Sequence, residues 1–385
     1  MRLHHSDGTA VHLGYCTNVH PAEDLGGIVD QLDTYGVGVR DRLGVDSLGL
    51  GLWLPAPVAA ELAADPVALR RFRAELDARG LEVVTLNGFP YQAFQAPVVK
   101  HAVYHPDWTR PERLRYTLDL AHILAALLPA DAARGSISTL PLAWRDPWDA
   151  GRAQQCARAL DDLAEGLARV ERSTGRAIRV GIEPEPGCVV ETIEQAVTQL
   201  ASVDHDRIGI CLDLAHLACA WEDPTRSLDA LAQAGLSVVK VQVSAALASR
   251  DPVADAQRLR EYVEPRFLHQ TRGSAGFAAD DLDQALAEPS REEWRVHYHV
   301  PLHADPPPPL HSTVDVLRDG LRAVLAGPSA RCDHLDVETY TWEVLPPQRR
   351  PRTSSDLVDG IAAELAFARQ EILALGLTDT AEEQR

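Results

Sequence analysis

Short apolar runs alternate with amphipathic segments along most of this chain. Several of the amphipathic segments carry helix start and stop signals, for example Asp65-Pro66 before one and Gly80 after it. Strands that alternate with helices are typical of a parallel sheet, and about eight such units in 385 residues predict an α/β fold, a closed (β/α)8 barrel. The nine candidate strands are residues 11–18, 48–54, 81–87, 136–142, 178–183, 208–213, 238–244, 295–300 and 335–340.

One candidate strand is surplus to an eight-stranded barrel, and the surplus lies after Ser244. Either residues 238–244 form the seventh strand and residues 297–300 belong to an inserted excursion, or the reverse. A predicted helix at 228–234 directly precedes residues 238–244, which favours the first arrangement. We therefore predict one barrel domain over residues 1–377 with an insertion at about 245–300, between the last two strands, and a disordered tail at 378–385.

Three of the candidate strands bring a carboxylate to their carboxyl ends: Glu183, Asp213 and Glu338. Barrel enzymes place their sites at this rim, so the three acids are expected to converge. Converging carboxylates repel one another in a partly dry site, and a divalent cation would hold them together. His216 follows Asp213 by one helical turn, and a mixed oxygen and imidazole set suits Mn, Co, Zn or Fe better than Ca. Alternatively, each acid caps a helix or pairs with an arginine.

The motifs around these acids resemble those of a known family. They are Gly181-Ile-Glu-Pro-Glu-Pro186, Cys211-Leu-Asp-Leu-Ala-His216 and Asp336-Val-Glu338, and they are similar to the metal-binding strands of the xylose-isomerase-like TIM barrels. This family includes sugar isomerases and epimerases. The resemblance implies that Glu183, Asp213, Glu338 and a histidine bind a divalent metal ion, and that His216 contacts the substrate.

Other motifs resemble those of the EboE-type metabolite traffic proteins. They are Gly14-Tyr-Cys-Thr-Asn-Val-His20, Leu268-His-Gln-Thr271, His297-Tyr-His-Val-Pro301 and Glu338-Thr-Tyr-Thr-Trp342. Such proteins are encoded in bacterial gene clusters associated with the export or trafficking of secondary-metabolite precursors. The resemblance implies a small-molecule metabolite as ligand and other proteins of the same cluster as partners.

The fourth metal ligand is the point at which the chain departs from the family. Its seventh strand offers Gln242 where the family normally has a histidine. An amide oxygen can bind a hard cation, although more weakly than imidazole binds these metals. The replacement could instead be His299, which has His297 two residues away on the same face of an extended segment, or His269.

Further residues are candidates for binding a substrate. Lys240 is one of only two lysines in the chain and shares a strand face with Gln242. We expect it to neutralise the nearby carboxylates, and the alternative is a Schiff base with a carbonyl substrate. Asn87 ends the third predicted strand at the same rim. The predicted substrate-binding residues are His216, Lys240, Gln242, Asn87 and His297.

Composition limits the choice of partners. A formal net charge of −19 argues against nucleic acid as the main partner. No apolar run approaches the roughly 18 residues that span a bilayer, so direct membrane insertion is not expected. Six scattered cysteines without a Cys-x-x-Cys pair are typical of reduced thiols in a cytoplasmic protein.

The resemblance to the xylose-isomerase-like barrels implies a metal-dependent isomerase or epimerase, here acting on a small sugar-like or hydroxycarbonyl compound. Glu183 and Glu338 would move a proton at the carbon between them, and His216 would stabilise the enediolate oxygen. The alternative is a non-catalytic metabolite-binding or trafficking factor that retains the barrel pocket.

Overall fold

The computed structural model describes residues 1–379, and its centre is a closed barrel of eight parallel strands. Each strand pairs with the next along the chain, and the eighth pairs with the first through Leu335 and Leu13, which closes the ring. The predicted barrel is thus confirmed. The strands are β1 (Ala10–Cys16), β2 (Leu48–Trp53), β3 (Leu81–Asn87), β4 (Gly135–Thr139), β5 (Ile178–Ile182), β6 (Ile208–Asp213), β7 (Val238–Val243) and β8 (His334–Val337).

Helices surround the barrel and begin where the cap signals place them. The carboxylate of Asp65 accepts hydrogen bonds from the backbone N–H groups of Val67 and Ala68, and Thr192 forms a capping box with Gln195. None of the helices within residues 1–379 combines the length and apolar character needed to cross a membrane. The α-helices are Leu25–Gln31, Gly38–Leu43, Ala56–Ala64, Pro66–Ala78, Pro111–Leu127, Ala150–Thr174, Ile193–Gln199, Leu214–Cys219, Pro224–Gln233, Ala256–Leu259, Leu282–Ala287, Val314–Leu325 and Ser354–Ala374.

A second, antiparallel sheet of five strands is inserted between β7 and β8. The surplus candidate strand belongs to it, so the assignment of residues 238–244 to the barrel is confirmed. The insertion ends at Ser312 rather than near residue 300, because His311 and Ser312 pair with Ala248 and Leu247 after the proline-rich segment. Its strands, in spatial order, are Ala278–Ala279, Thr271–Gly273, Trp294–His299, Ala246–Ser249 and His311–Ser312.

The two ends of the described chain meet beside the barrel. The strand Arg2–His4 pairs with β1 on one side and with Thr378–Asp379 on the other. The prediction of a disordered tail from Thr378 is therefore wrong for its first two residues, which form ladder hydrogen bonds. Residues 380–385 of that predicted tail lie outside the described residues.

An ion pair lies in the barrel interior, toward the amino ends of the strands relative to the rim acids. The ammonium of Lys240 on β7 is 3.2 Å from Oδ2 of Asp336 on β8, and both side chains are fully buried. The carboxylate of Asp336 occupies the position that a side chain on Gly51 would take, since an added Cβ there would lie 1.4 Å from its Oδ2. Glycine on β2 therefore makes room for this pair.

A buried glutamate ties the last helix to the chain that leaves β8. Glu364 lies in the helix Ser354–Ala374 and is 1% exposed. Its carboxylate accepts hydrogen bonds from Thr339 Oγ1 at 2.6 Å, Trp342 Nε1 at 3.0 Å and the backbone N–H of Leu302 at 3.1 Å. Burial nevertheless raises the pKa of Glu364 to about 7, although these hydrogen bonds act in the opposite direction.

We expect Glu364 to make unfolding depend on pH. The ordinary pKa of glutamate is 4.5, so the folded chain binds more protons than the unfolded chain between that value and about 7. The stabilisation is full below the unfolded pKa and is lost as pH rises through the folded pKa. Between pH 5 and pH 8, the free energy of unfolding should fall by about 2–3 kcal/mol more in the wild type than in Glu364→Gln. Urea unfolding at both pH values measures this difference, and equal changes in the two proteins would contradict it.

Candidate active site

The predicted carboxylates do converge at the carboxyl ends of their strands. Glu183 directly follows β5, Asp213 ends β6, and Glu338 directly follows β8. All three are at most 5% exposed. Oε1 of Glu338 accepts hydrogen bonds of 2.9 Å from the side-chain amides of Asn18 and Asn87. The amides therefore fix the orientation of Glu338 at the rim.

Two carboxylate oxygens in this cluster lack a hydrogen-bond partner although they are buried. Asp213 uses Oδ1 to accept hydrogen bonds from Ser244 Oγ at 2.8 Å and from the backbone N–H of His216 at 2.9 Å. Its Oδ2 has no partner, and neither has Oε2 of Glu183. Buried polar atoms are nearly always satisfied, so these two oxygens mark a place where a bound group belongs.

The mutual repulsion of the carboxylates favours a positive charge within the cluster. Burial, with Glu338 and Asp213 nearby, raises the pKa of Glu183 well above its usual value. Burial and then Asp213 raise the pKa of Glu338 to about 8. Burial also acts to raise the pKa of Asp213, yet His216 and His299 hold it below its ordinary value. A cation among these groups would relieve the repulsion.

Two histidines complete the cluster, and hydrogen bonds fix the tautomer of each. His216 donates from Nδ1 to the carbonyl oxygen of Pro184 at 2.9 Å, and His299 donates from Nδ1 to that of Glu338 at 2.7 Å. Each Nε2 therefore carries a lone pair in the neutral ring. The two Nε2 atoms lie 3.9 Å and 3.8 Å from Oδ2 of Asp213.

These side chains fit a divalent cation. Nε2 of His299 is buried without a hydrogen-bond partner, as are Oδ2 of Asp213 and Oε2 of Glu183. Ligand atoms of Asp213, His299 and Glu338 lie within 4.8 Å of one another, and so do those of Glu183, Asp213 and His216. Neutral imidazole held by a carbonyl through its other nitrogen, together with carboxylates, is the usual arrangement around Mn, Zn or Fe.

His297 lies beside His216 in the cavity wall, with the two ring centroids 4.4 Å apart. It donates from Nδ1 to Oε1 of Gln270 at 2.8 Å, and Gln270 in turn donates to the carbonyl oxygen of Pro186 and to Tyr104. The Nε2 atoms of His216 and His297 lie 2.9 Å apart. Two lone pairs at this distance need a proton or a cation between them, so the pair is a further polar element of the site.

His269 is not available as a ligand. Its Nδ1 donates to the carbonyl oxygen of His297 at 2.9 Å, and its Nε2 lies 2.8 Å from a carboxylate oxygen of Glu264. Both ring nitrogens are therefore engaged, and the third candidate for the missing ligand is excluded by these contacts.

Lys240 and Gln242 do not line the cavity above the carboxylates. Burial acts to lower the pKa of Lys240, but Asp336 and other acidic neighbours raise it above its usual value. A charged, paired ammonium does not favour a Schiff base. Gln242 is fully buried between Asp213 and Asp336 in the strand register, and its side-chain amide has no partner. Both residues were predicted to bind substrate, and their positions in the barrel do not support that prediction.

A cavity opens beside the cluster. The predicted residues Asn87, Glu183, His216, His297 and Glu338 lie in its wall. The rest of its wall comes from Asn18, Phe89, Pro90, Phe94, Val99, Lys100, Val103, Tyr104, Glu185, Phe267, Leu268 and Tyr340. Asp213 and His299 do not line the cavity, and the segments after β3 and in the insertion supply most of its apolar lining.

Sequence reasoning missed several residues of the cavity wall and of the contacts that support it. Glu185 stands in the Glu-Pro-Glu-Pro motif, and its Oε1 accepts a 2.6 Å hydrogen bond from Tyr104. Gln270 stands in the Leu-His-Gln-Thr motif and orients His297. Both motifs were visible in the sequence and could have suggested these two residues. Phe94 and Phe267 lie in loops without periodicity, and no pattern in the sequence connects them.

Comparison with known proteins agrees with this architecture. Residues 41–294 match the family described as the xylose isomerase-like TIM barrel. No curated protein matches the chain at the sequence level.

Solved structures share the fold at low sequence identity. A xylose isomerase-like TIM barrel protein from Mycobacterium smegmatis, in complex with magnesium, is 14% identical with a TM-score of 0.52, over 94% of this chain and 98% of that one. A D-allulose 3-epimerase from Methylomonas sp. is 13% identical with a TM-score of 0.51, also over 94% and 98%. An L-ribulose 3-epimerase is 13% identical with a TM-score of 0.52, over 95% of each chain. At these identities the likeness shows the fold alone.

Proposed function

The chain belongs to the xylose isomerase-like TIM barrel family, and we propose that it is a divalent-metal-dependent isomerase or epimerase of small hydroxycarbonyl or sugar-like compounds. One observation carries the proposal: Asp213 belongs to two buried groups of close ligand atoms, one with Glu183 and His216 and the other with His299 and Glu338. Oδ2 of Asp213, Oε2 of Glu183 and Nε2 of His299 are all buried without a hydrogen-bond partner. Hydrogen bonds to neighbouring side chains, which would satisfy these three atoms without a bound ion, are absent.

The proposed ligands are Glu183, Asp213, His299 and Glu338, and the ion is Mn, Zn, Co or Fe. His299 supplies the imidazole ligand that the family normally has on the seventh strand. Gln242, which lies on that strand, is the alternative fourth ligand. A cation in this position supplies Lewis-acid polarisation of adjacent substrate oxygens.

The remaining chemistry belongs to side chains of this chain. Glu183 and Glu338 both line the cavity, so a substrate carbon between them can lose a proton to one and regain it from the other. Asn18 and Asn87 hold Glu338 in place for this step. His216 and His297 both line the cavity and are placed to stabilise a substrate oxygen that becomes negative.

A non-catalytic role is the second candidate, and Gln242 favours it. Loss of the histidine on β7 is what is expected of a barrel that binds a metabolite without converting it. The EboE-type motifs suit this role, with a metabolite-trafficking pathway and other proteins of the same gene cluster as its setting. All six cysteines are buried free thiols, which supports a reducing compartment such as the cytoplasm.

The test is elemental analysis of untagged protein, followed by assays of ketose and hydroxyketone isomerisation and epimerisation with the metal-loaded form. About one Mn, Zn, Co or Fe per chain and turnover that a chelator abolishes would support the enzyme. Stoichiometric metal with tight ligand binding and no turnover would favour the binding factor. Absence of metal after incubation with each ion would contradict both the ligand set and the enzyme.

A pair of variants decides which residue completes the ligand set. We expect His299→Phe to weaken metal binding by at least about 100-fold, since loss of an outer partner alone costs about 10–100-fold. Gln242→Leu should leave the affinity within about threefold of the wild type, because His299 supplies the stronger ligand. Competition with a fluorescent chelator measures both, and the reverse order would assign the position to Gln242.

A further inference from the structure

The cavity above the candidate metal site has an unequal distribution of polar groups. Besides acids and histidines, the lining includes the apolar side chains of Phe89, Phe94, Val99, Val103, Phe267 and Leu268, here called the apolar wall. Phe94, Phe267 and Tyr340 pack as an aromatic cluster, with ring centroids 4.8–5.4 Å apart. A substrate that is polar over its whole surface would leave this wall without a partner.

Backbone hydrogen bonds connect the two segments that supply the apolar wall. The backbone N–H groups of Val99 and Lys100 both donate to the carbonyl oxygen of Arg266, at 2.7 Å and 2.8 Å. These bonds join the segment after β3 to the insertion. Phe94 and Phe267 are 6% and 4% exposed, and both line the cavity.

Charge in the cavity wall disfavours a phosphorylated substrate. Among the lining residues the only Lys or Arg is Lys100, and its ammonium is already hydrogen-bonded to Asp281. Three carboxylates line the same cavity: Glu183, Glu185 and Glu338. A phosphate group is normally held by arginine, lysine or a cluster of backbone N–H groups, and an unscreened carboxylate repels it.

We propose that the substrate is an unphosphorylated amphiphile with adjacent oxygens at one end and an apolar or aromatic group at the other. This inference rests on the proposed function, because the adjacent oxygens are the part that the metal end of the cavity would bind. The apolar group lies against Phe94, Phe267 and Leu268.

The test measures the affinity of metal-loaded protein for straight-chain hydroxamates, which present two adjacent oxygens. From acetohydroxamate to hexanohydroxamate, each added methylene should tighten binding up to about fourfold, as expected for a CH₂ group that leaves water. Phosphoglycolohydroxamate, the phosphorylated counterpart, should bind more weakly than acetohydroxamate. Isothermal titration calorimetry gives all of these affinities with the wild-type chain alone.

A matched pair of variants locates the effect. Phe94→Ser should reduce the gain per methylene by at least half, whereas Phe277→Ser should not change it, because Phe277 stacks on Trp294 outside the cavity. Metal content is measured for both variants to confirm that the site is intact.

The outcomes separate this inference from the proposed function. Metal binding with tight acetohydroxamate binding, but no dependence on chain length or a preference for the phosphorylated compound, would overturn the inference and leave the proposed function standing. Failure of every hydroxamate to bind metal-loaded protein, or failure to bind metal, would overturn both.

Discussion

Glu183→Gln should lose its metal ion. The substitution keeps the size of the side chain but replaces the buried, unpartnered Oε2 by an amide, so one carboxylate ligand and one negative charge disappear. We expect metal affinity to fall by more than about 100-fold, and any metal-dependent turnover to fall by about 1,000-fold or more, since Glu183 also has the proposed proton-transfer role.

Glu185→Gln is the matched control for metal content. Glu185 lies two residues after Glu183 and is also buried. Its carboxylate accepts the hydrogen bond from Tyr104, and it does not belong to the groups of close ligand atoms that contain Glu183 or Asp213. Its metal content should equal that of the wild type in elemental analysis after dialysis. Full metal content in Glu183→Gln would show that the ion, if bound, lies elsewhere.

Lys240→Met should be strongly destabilising. The substitution leaves Asp336 as a buried carboxylate without its cation, and the side chain has no exposed surface through which water could stabilise it. Breaking a buried pair in this way costs about 3–5 kcal/mol. We expect urea unfolding to show a loss of that size at neutral pH.

Two further variants separate the buried charge from simple loss of packing. The double variant Lys240→Met with Asp336→Asn removes both charges and keeps the space beside Gly51 filled, so it should recover more than half of the lost free energy. Arg322→Met breaks an exposed pair with Asp319 and should change the free energy of unfolding by less than about 1 kcal/mol. A double variant no more stable than Lys240→Met would assign the effect to packing.

The barrel could be predicted from the sequence because its signals are local. A buried parallel strand reads as an apolar run, and the caps at Asp65 and Asp223 mark helix starts without reference to any distant residue. The strand-end acids were predictable for the same reason: topology alone brings the carboxyl ends of parallel strands to one rim. Glu183, Asp213 and Glu338 needed no further information.

The remainder of the site depends on tertiary contacts that have no local signal. The sequence left His299, Gln242 and His269 as alternatives, since the path of the insertion decides which ring nitrogen faces Asp213. The boundary near residue 300 was placed too early because a proline-rich segment hides the return to a strand at His311–Ser312. The apolar wall combines Phe94 and Phe267 from two loops that are far apart in sequence.

The antiparallel insertion has a consequence for how this site can change over generations. It carries His299 and His297, and also Phe267 and Leu268 of the cavity wall, in one continuous stretch of chain. A single deletion there would remove the proposed imidazole ligand together with Phe267 and Leu268 of the apolar wall, while the barrel and its three acids would stay encoded elsewhere. Selection on this protein would then act on the insertion as one heritable module, separate from the barrel that supports it.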